Sequence, residues 1–164
     1  MNEFLPENDG LDHINVYSKG RTELGTFLSN FAYSPIKTED GYFNSIEGYW
    51  YWLSCSHTDR DILRKLHGFE AKKKGRELRG KDWETSLVFK DKVKKAIEIK
   101  VRSNDVIKQK FVESSLPLTH YYVFYGKTKV PEGSEWIMEF LEELRETLKK
   151  EMLPKTQTVL KRSL

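Results

Sequence analysis

Residues 43–52 read FNSIEGYWYW, a stretch that combines the start of a helix with one acidic residue among five aromatic ones. Asn44 is a suitable N-cap, and Glu47 follows it at capping-box spacing, so we predict a helix from about Ser45 to Cys55. Taken alone, this spacing favours a carboxylate that bonds the backbone of its own helix. The aromatic neighbours favour a carboxylate that faces a ligand, because they desolvate it, raise its pKa and can stack on bases or sugars.

The composition is that of a globular protein. The chain has 164 residues, 38% of them hydrophobic and 32% charged, and its apolar runs are only a few residues long, too short to span a membrane. We place a single domain at residues 10–152 and a flexible tail at residues 153–164, after a last helix that Pro154 ends. The N-terminus lacks a signal-peptide pattern and Cys55 is the one cysteine, so we expect a cytoplasmic protein without an internal disulfide.

Helical patterns dominate the chain, and the predicted fold class is mainly α within an α+β domain. Alternation and turn signals predict a short strand at Ile14–Tyr17, a hairpin around Asp40–Gly41 and a late strand at Leu118–Lys127. Asp82 is the predicted cap of the longest helix. The further helices are predicted at 58–66, 69–78, 82–102, 105–113 and from Ser134 onwards.

Charge is unevenly distributed, although the net charge is only +3. Residues 60–81 contain nine Lys or Arg and three acids, whereas residues 132–146 contain six Glu and one Arg. This asymmetry fits a positive face that attracts phosphates or nucleic acid. It fits equally well the solvated faces of amphipathic helices.

The loop Leu28–Ala32 combines polar groups with a flat ring. Ser29 and Asn30 supply donors and acceptors, and Phe31 supplies an apolar surface, a mixture typical of loops that bind polar, ring-bearing ligands. An Asn-based turn pinned by a core Phe fits the same residues.

Two further groups of residues have both a structural and a functional reading. Trp83 lies near the edge of the apolar face of the long predicted helix, where it either packs in the core or forms a stacking wall. On an alternating strand His120, Tyr122 and Phe124 share one face, which either joins the core or presents an imidazole and phenols to a ligand.

Other function classes lack their motifs. The sequence contains no P-loop, no GxGxxG and no GxSxG, so nucleotide-cradling and serine-hydrolase motifs are missing. His57 and His67 lie ten residues apart without a matching ligand pair, and Cys55 is too close to His57 for a papain-like pair. We therefore expect neither a metal nor a cofactor.

Six segments follow one another along the chain: Leu28–Ala32, Pro35–Ile36, Phe43–Trp50, Ala71–Arg76, Asp82–Trp83 and Trp136–Leu148. In this order and spacing they resemble the NADAR family, to which the YbiA-type N-glycosidases belong. The similarity runs from about Asn15 to Lys149. It implies a compact, mostly helical fold and hydrolysis of an N-glycosidic bond between ribose C1 and a nitrogen.

The resemblance implies two groups of activity. One removes ADP-ribose from guanine, including guanine in DNA, and the other acts on phosphoribosylated pyrimidine intermediates of the riboflavin pathway. The expected partner is therefore an ADP-ribose-containing or phosphoribosyl substrate, or ADP-ribosylated DNA, and not a membrane. A non-catalytic ADP-ribose reader is another interpretation, and a nucleic-acid-binding helical protein rests on the charge excess alone.

The resemblance carries over Glu47 as the essential acid, Trp83 as a ring-stacking residue and Ser29–Phe31 as ligand contacts. Breaking the bond gives C1 oxocarbenium character, which Glu47 would stabilise, or it would orient the attacking water. His120 or a tyrosine would give the leaving base its proton. The remaining expected substrate contacts are Tyr49, Trp50, Lys74, Arg76 and Tyr122.

The chain departs from the family pattern at two places. The family often has a lysine seven residues after the glutamate, where this chain has Ser54. It also commonly has an Asn-Asp-x-x-Trp-Gly segment near the last strand, where this chain has Tyr122–Gly126. These differences indicate a variant subgroup with another substrate preference, and they are the observations that favour an ADP-ribose reader.

Overall fold

The computed structural model describes residues 4–80 and 86–153. Within these residues the helices are α1 (Glu23–Leu28), α2 (Ile46–Leu53), α3 (Gly68–Arg79), α4 (Leu87–Arg102), α5 (Asp105–Glu113) and α6 (Glu135–Met152). The strands are β1 (Ile14–Asn15), β2 (Ile36–Thr38), β3 (Gly41–Phe43), β4 (Leu118–Thr119), β5 (Tyr122–Phe124) and β6 (Lys127–Lys129). Short 3-10 helices cover Pro6–Asn8 and Arg60–Lys65. This is the mainly helical α+β architecture that the sequence predicts.

The strands form three two-stranded sheets, β1–β4, β2–β3 and β5–β6. The predicted hairpin is confirmed as β2–β3, and Gly41, with a φ of 104°, supplies the turn conformation that an L-residue rarely adopts. The prediction of one continuous late strand is wrong. The chain leaves the ladder after β4 because the Asn15 side chain bonds both the carbonyl and the N–H of Tyr121, where a backbone partner would stand in a longer strand.

The core forms between helix faces that the sequence pattern predicted. In α4 the buried residues Phe89, Val93, Ala96, Ile97 and Val101 follow the predicted stripe, and α6 contributes buried Ile137, Leu141, Leu144 and Leu148. Clean 3.6-residue spacing gives each helix one apolar face to bury. No helix in the described ranges is long and apolar enough to cross a membrane.

Helix starts differ from the sequence predictions. Ser45, not Asn44, caps α2, because its hydroxyl accepts from the N–H of Gly48. Helix α4 begins at Leu87 with Ser86 as N-cap, whereas its predicted cap, Asp82, lies outside the described residues. Helix α1 has no counterpart among the predictions. The predicted tail, apart from Leu153, also lies outside the described residues, and the single-domain boundaries stay a prediction.

Candidate active site

Glu47 occupies the second position of α2, one residue earlier in the helix than a capping box requires. Its own N–H donates to the carbonyl of Asn30 at 2.9 Å, and Ser45 supplies the side-chain cap. The Asn44 amide is used elsewhere, on the carbonyl of Lys65. Within the described residues the Glu47 carboxylate has no hydrogen-bond partner, so the capping reading fails and the carboxylate is available to a ligand.

The surroundings of Glu47 bring the pKa of its carboxyl close to neutral pH. Burial raises the pKa of its carboxyl from 4.5 to about 7, and the positive charges of Lys72 and Arg76 limit the rise. Desolvation therefore outweighs the two cations, both of which favour the ionised form. Near pH 7 the group exists in comparable amounts as carboxylate and carboxylic acid.

The two cations come from one face of α3. Lys72 and Arg76 are one turn apart, and α3 approaches α2 closely because Gly75 lies against the ring of Tyr51. A Cβ on Gly75 would lie only 2.1 Å from Tyr51 Cγ. Lys74 is rotated by about 200° around the helix from Lys72 and pairs with Glu77 at 3.4 Å. The cluster around Glu47 thus contains the predicted Arg76 together with Lys72, and not Lys74.

Two tyrosines, Tyr51 and Tyr122, lie close enough to Glu47 to be affected by its charge. Burial, and after it the charge of Glu47, raises the pKa of Tyr51 and also that of Tyr122. The Lys72 ammonium lies 5.6 Å from the centre of the Tyr122 ring, and Tyr17 packs on that ring at 5.6 Å. The phenols stay protonated at neutral pH, so they offer hydrogen bonds without adding negative charge.

His120 joins the cluster through its neighbours. Its ring centre lies 5.2 Å from that of Tyr122, and Nδ1–H donates to the carbonyl of Val16 at 2.6 Å. Burial lowers the pKa of the imidazole and the charge of Lys72 lowers it further, although the bond to Val16 opposes both. At neutral pH the ring is therefore neutral, with a lone pair on Nε2, and it suits a proton acceptor better than a proton donor.

The backbone of the Ser29–Phe31 loop accepts hydrogen bonds from the first turns of both α2 and α3. Asn30 accepts from the N-terminus of α2, and the carbonyl of Phe31 accepts from the N–H of Gly68 at 3.0 Å. Lys100 of α4 also fixes the loop, because its buried Nζ donates to the carbonyl of Ser29 at 2.8 Å. The backbone of this loop is therefore structural, but its turn differs from the expected one: the Ser29 hydroxyl accepts from the N–H of Phe31, and Phe31 is half-buried rather than a core residue.

The Phe31 side chain lies near both Lys72 and a pocket. The Lys72 ammonium lies 5.8 Å from the centre of the Phe31 ring. Phe31 also lines a pocket of about 480 Å³. The other pocket residues include Glu23, Phe27, Tyr33, His67 and Asn104. Glu47 does not line this pocket, so Phe31 and Lys72 link the pocket to the Glu47 cluster.

Two predicted contacts, Tyr49 and Trp50, have their main contacts away from Glu47. Tyr49 is buried against Phe43, and its hydroxyl donates to Asp40 at 2.7 Å. Trp50 stacks on Trp136 with ring centres 5.8 Å apart. Tyr49 follows Glu47 by two residues and points about 200° away around α2. Trp50 lies only one turn from Glu47, but its ring packs against Phe89 and Trp136. Trp83 lies outside the described residues, so its stacking role stays a prediction.

Sequence reasoning missed Lys72, Tyr51 and Lys100. Lys72 and Arg76 have the four-residue spacing of helix neighbours, and Tyr51 follows Glu47 at the same spacing. The signal for Lys100 was a lysine inside the apolar stripe of the long helix. Among the described residues no group of three His, Cys, Asp or Glu side chains could hold a metal ion.

The geometry defines a class of small α+β domain in which a helix-borne carboxylate faces paired cations. One solved structure shares this fold: the NMR structure of the E. coli protein YbiA matches with a TM-score of 0.66 and 23% sequence identity, over 88% of this chain and 92% of that chain. No protein-family model and no curated protein matches the chain. At this identity the likeness shows the fold, and the predicted YbiA-like fold is thereby confirmed.

Proposed function

We propose that this protein is a NADAR-type N-glycosidase that hydrolyses the bond between ribose C1 and a nitrogen of an ADP-ribosylated base. The favoured base is guanine, in a nucleoside or in DNA, and the favoured compartment is the cytoplasm. The observation that carries the proposal is Glu47, a carboxyl without a partner among the described residues, with a pKa of about 7, beside Lys72 and Arg76. The YbiA fold and the family-like order of the sequence segments support it.

Glu47 is suited to the charge that develops at the ribose. When the C1–N bond breaks, its electron pair leaves with the base nitrogen, and C1 shares a positive charge with the ring oxygen. The ionised carboxylate stabilises this cation, and partial burial strengthens the attraction. Water then adds to C1.

His120 and Tyr122 each take part in one proton transfer. The lone pair on His120 Nε2 accepts the proton of the attacking water, which differs from the donor role expected from the sequence. Tyr122, whose phenol pKa is raised by burial and by Glu47, donates its proton to the departing nitrogen, and the proton that His120 takes from the water then restores the phenol. This is the tyrosine option of the sequence-based mechanism.

The cations and the Phe31 ring hold the rest of the substrate. Lys72 and Arg76 bind the phosphates, for which paired cations on one helix face are suited. A ligand that contacts Lys72 and continues along Phe31 enters the 480 Å³ pocket. That volume accommodates a nucleoside, so the distal half of ADP-ribose fits there.

The test is Glu47→Gln, compared with the parent protein on ADP-ribosylated guanosine, with mass spectrometry of the released ADP-ribose and guanosine. We expect turnover to fall by about 100-fold or more, as for loss of a charge-stabilising group. Glu39→Gln, an exposed acid in the β2–β3 turn, is the matched control and should be active. Undiminished turnover in folded Glu47→Gln protein would remove Glu47 from the mechanism.

A non-catalytic ADP-ribose reader is the second candidate, and Ser54 favours it. Ser54 stands where the family often has lysine, and it is the buried C-cap of α2, with its hydroxyl donating to the carbonyl of Tyr51. A reader binds ADP-ribose in calorimetry and releases no base during long incubation. The same release assay with a phosphoribosylamino-pyrimidine tests the third candidate, action on riboflavin intermediates.

A further inference from the structure

The β5–β6 hairpin presents one face of alternating aromatic and basic side chains. In its register Tyr122 lies opposite Lys129, and Phe124 lies opposite Lys127. Residues opposite one another in an antiparallel pair share a face with their second neighbours along each strand. Tyr122, Phe124, Lys127 and Lys129 therefore form one surface, which we call the aromatic–basic face.

This face is continuous with the candidate active site. Tyr122 belongs to both, because the charge of Glu47 contributes to its raised pKa and the Lys72 ammonium lies over its ring. The ring of Phe124 packs on that of Tyr122 at 6.1 Å and 67°. A series of rings thus leads from His120 outwards, and it ends at the solvent-exposed Phe124.

Packing within the protein does not account for this surface. Phe124 is 55% exposed, and Tyr125 at the hairpin tip is fully exposed with a left-handed φ of 48°. Lys127 and Lys129 are exposed, and neither has an ion pair within the described part of the chain. Residues 114–131 contain no acidic residue, and Glu132 is the first that follows, so the hairpin itself carries no carboxylate to balance the two lysines.

We propose that the aromatic–basic face binds single-stranded nucleic acid next to the reacting nucleotide. Bases stack on Phe124 and Tyr125, and the neighbouring phosphates contact Lys127 and Lys129. Binding surfaces for single strands combine aromatic platforms with positive charge in this way. The inference rests on the proposed function, and it identifies the substrate as a strand that carries the modified base rather than a free nucleoside.

The recessed position of Glu47 also favours a single strand. Enzymes that act on a base inside a duplex usually have to take that base out of the stack first. The same applies to the bond between the base and ADP-ribose if that bond is to reach Glu47. An unpaired strand meets this condition without unstacking, and its flanking bases are free to stack on exposed rings. An acidic peptide would satisfy the two lysines but would leave Phe124 and Tyr125 without matching flat partners.

The test is fluorescence anisotropy with an unmodified single-stranded oligonucleotide of about 12 nucleotides, in DNA and RNA forms. The variant Phe124→Ala/Lys127→Ala removes one cross-strand aromatic–lysine pair of the face. Its matched control is Tyr42→Ala/Lys37→Ala, the exposed cross-strand aromatic–lysine pair of the β2–β3 hairpin. We expect the first variant to weaken binding about tenfold or more and to lower the salt slope by about one, and the control to bind normally.

Three results would overturn the proposal: no binding by the parent protein, equal loss in both variants, or competition by polyglutamate as strong as that by the oligonucleotide. The last result would mark the hairpin as a surface for acidic protein. The relative affinities of the DNA and RNA forms identify the kind of strand. Because the binding assay needs no ADP-ribose, a protein that binds the oligonucleotide but releases no guanosine in the separate ADP-ribosylated guanosine assay would refute the proposed glycosidase and leave the binding surface standing.

Discussion

Two opposing effects act on the carboxyl of Glu47. Burial disfavours its charge, whereas Lys72 and Arg76 favour it, and the resulting pKa is about 7. A catalytic group is most effective when its pKa lies near the working pH, and a strongly perturbed carboxyl in a cleft is typical of functional sites. The same perturbation lowers stability as pH rises from about 4.5 to about 7, where the unfolded state is ionised and the folded carboxyl still holds its proton, and the cost persists above pH 7.

The first prediction concerns the pH dependence of hydrolysis. If the ionised form of Glu47 stabilises the cation at C1, kcat/KM for ADP-ribosylated guanosine rises with pH through about 7 and then levels off. Initial rates between pH 5 and 9 measure this limb. Activity that instead falls as pH rises through 7 would assign Glu47 the role of proton donor.

Lys72 gives an independent check on the origin of that limb. Lys72→Met removes a positive charge that lowers the pKa of Glu47, so the limb should move to higher pH, whatever happens to the maximal rate. Its control is Lys73→Met, which removes the same charge from the exposed neighbouring position. A 13C NMR titration of the Glu47 carboxyl in the free protein should show the same displacement.

Lys100 has the converse electrostatic problem. Burial lowers the pKa of its ammonium from 10.5 to about 7, so between these values the unfolded state binds more protons and stability rises with pH. Lys100→Met removes this dependence. We expect the difference in free energy of unfolding between variant and parent to change by about 2–4 kcal/mol from pH 6 to pH 10.

Urea unfolding at the two pH values measures this difference, with the exposed Lys95→Met of the same helix as control. A pH-independent difference would show that Lys100 keeps an ordinary pKa in the folded protein. Because Lys100 also supports the carbonyl of Ser29, the variant should bind ADP-ribose more weakly through a displaced Phe31 loop.

At the scale of elements, the contact between α2 and α3 depends on Gly75. A methyl group at this position would overlap the Tyr51 ring near its attachment, where the side chain cannot swing away. We expect Gly75→Ala to lower the free energy of unfolding by about 1–3 kcal/mol, the usual cost of overpacking. Urea unfolding measures it, and Lys73→Ala on the exposed side of α3 should stay within about 0.5 kcal/mol of the parent.

A double-mutant cycle assigns the cost to this contact. If Gly75→Ala destabilises through Tyr51, its effect should shrink in a Tyr51→Ala background, since the two sites then no longer overlap. Equal effects in both backgrounds would refer the loss to strain elsewhere in α3.

Element patterns were predictable where they depend on repeated spacing. The buried stripes of α4 and α6 and the Asp40–Gly41 turn follow from local chemistry, and the structure has them. The choice among the lysines of Ala71–Arg76 depends on helical phase relative to α2, which no local pattern fixes. Sequence therefore favoured Lys74, while the fold turns Lys72 towards Glu47.

The prediction of one continuous late strand was wrong because of a contact between distant parts of the chain. Its residues have strong strand propensity, but Asn15, more than 100 positions earlier in the chain, occupies the backbone groups of Tyr121 and divides β4 from β5. That break frees β5 to form the hairpin with β6 beside the candidate site. Pairing between distant segments overrides local propensity here, as it commonly does for strands.

At the scale of the whole molecule, the N-terminal segment is tied to the late part of the chain. Strand β1 pairs in parallel with β4, and buried His13 contacts the hydroxyl of Tyr121 at 2.6 Å. The β1–β4 pairing and the contact between His13 and Tyr121 close a loop of about one hundred residues. This loop contains every residue of the Glu47 cluster except Tyr122 of β5. The site thus depends on closure of the whole domain, and we expect it to form only in the fully folded state.

Asp9 tests where that cooperative unit begins. Its buried carboxylate accepts from the backbone N–H groups of Asn15 and Arg21 at 2.9 and 2.8 Å. Asp9→Ala leaves both donors unpaired, and we expect a loss of about 2–4 kcal/mol in the free energy of unfolding. If the domain unfolds as one unit, far-UV circular dichroism and tryptophan fluorescence report the same lowered midpoint. Glu7→Ala, an exposed acid two residues earlier, should leave it unchanged, and equal stability of Asp9→Ala and parent would confine the domain to residues after Asp9.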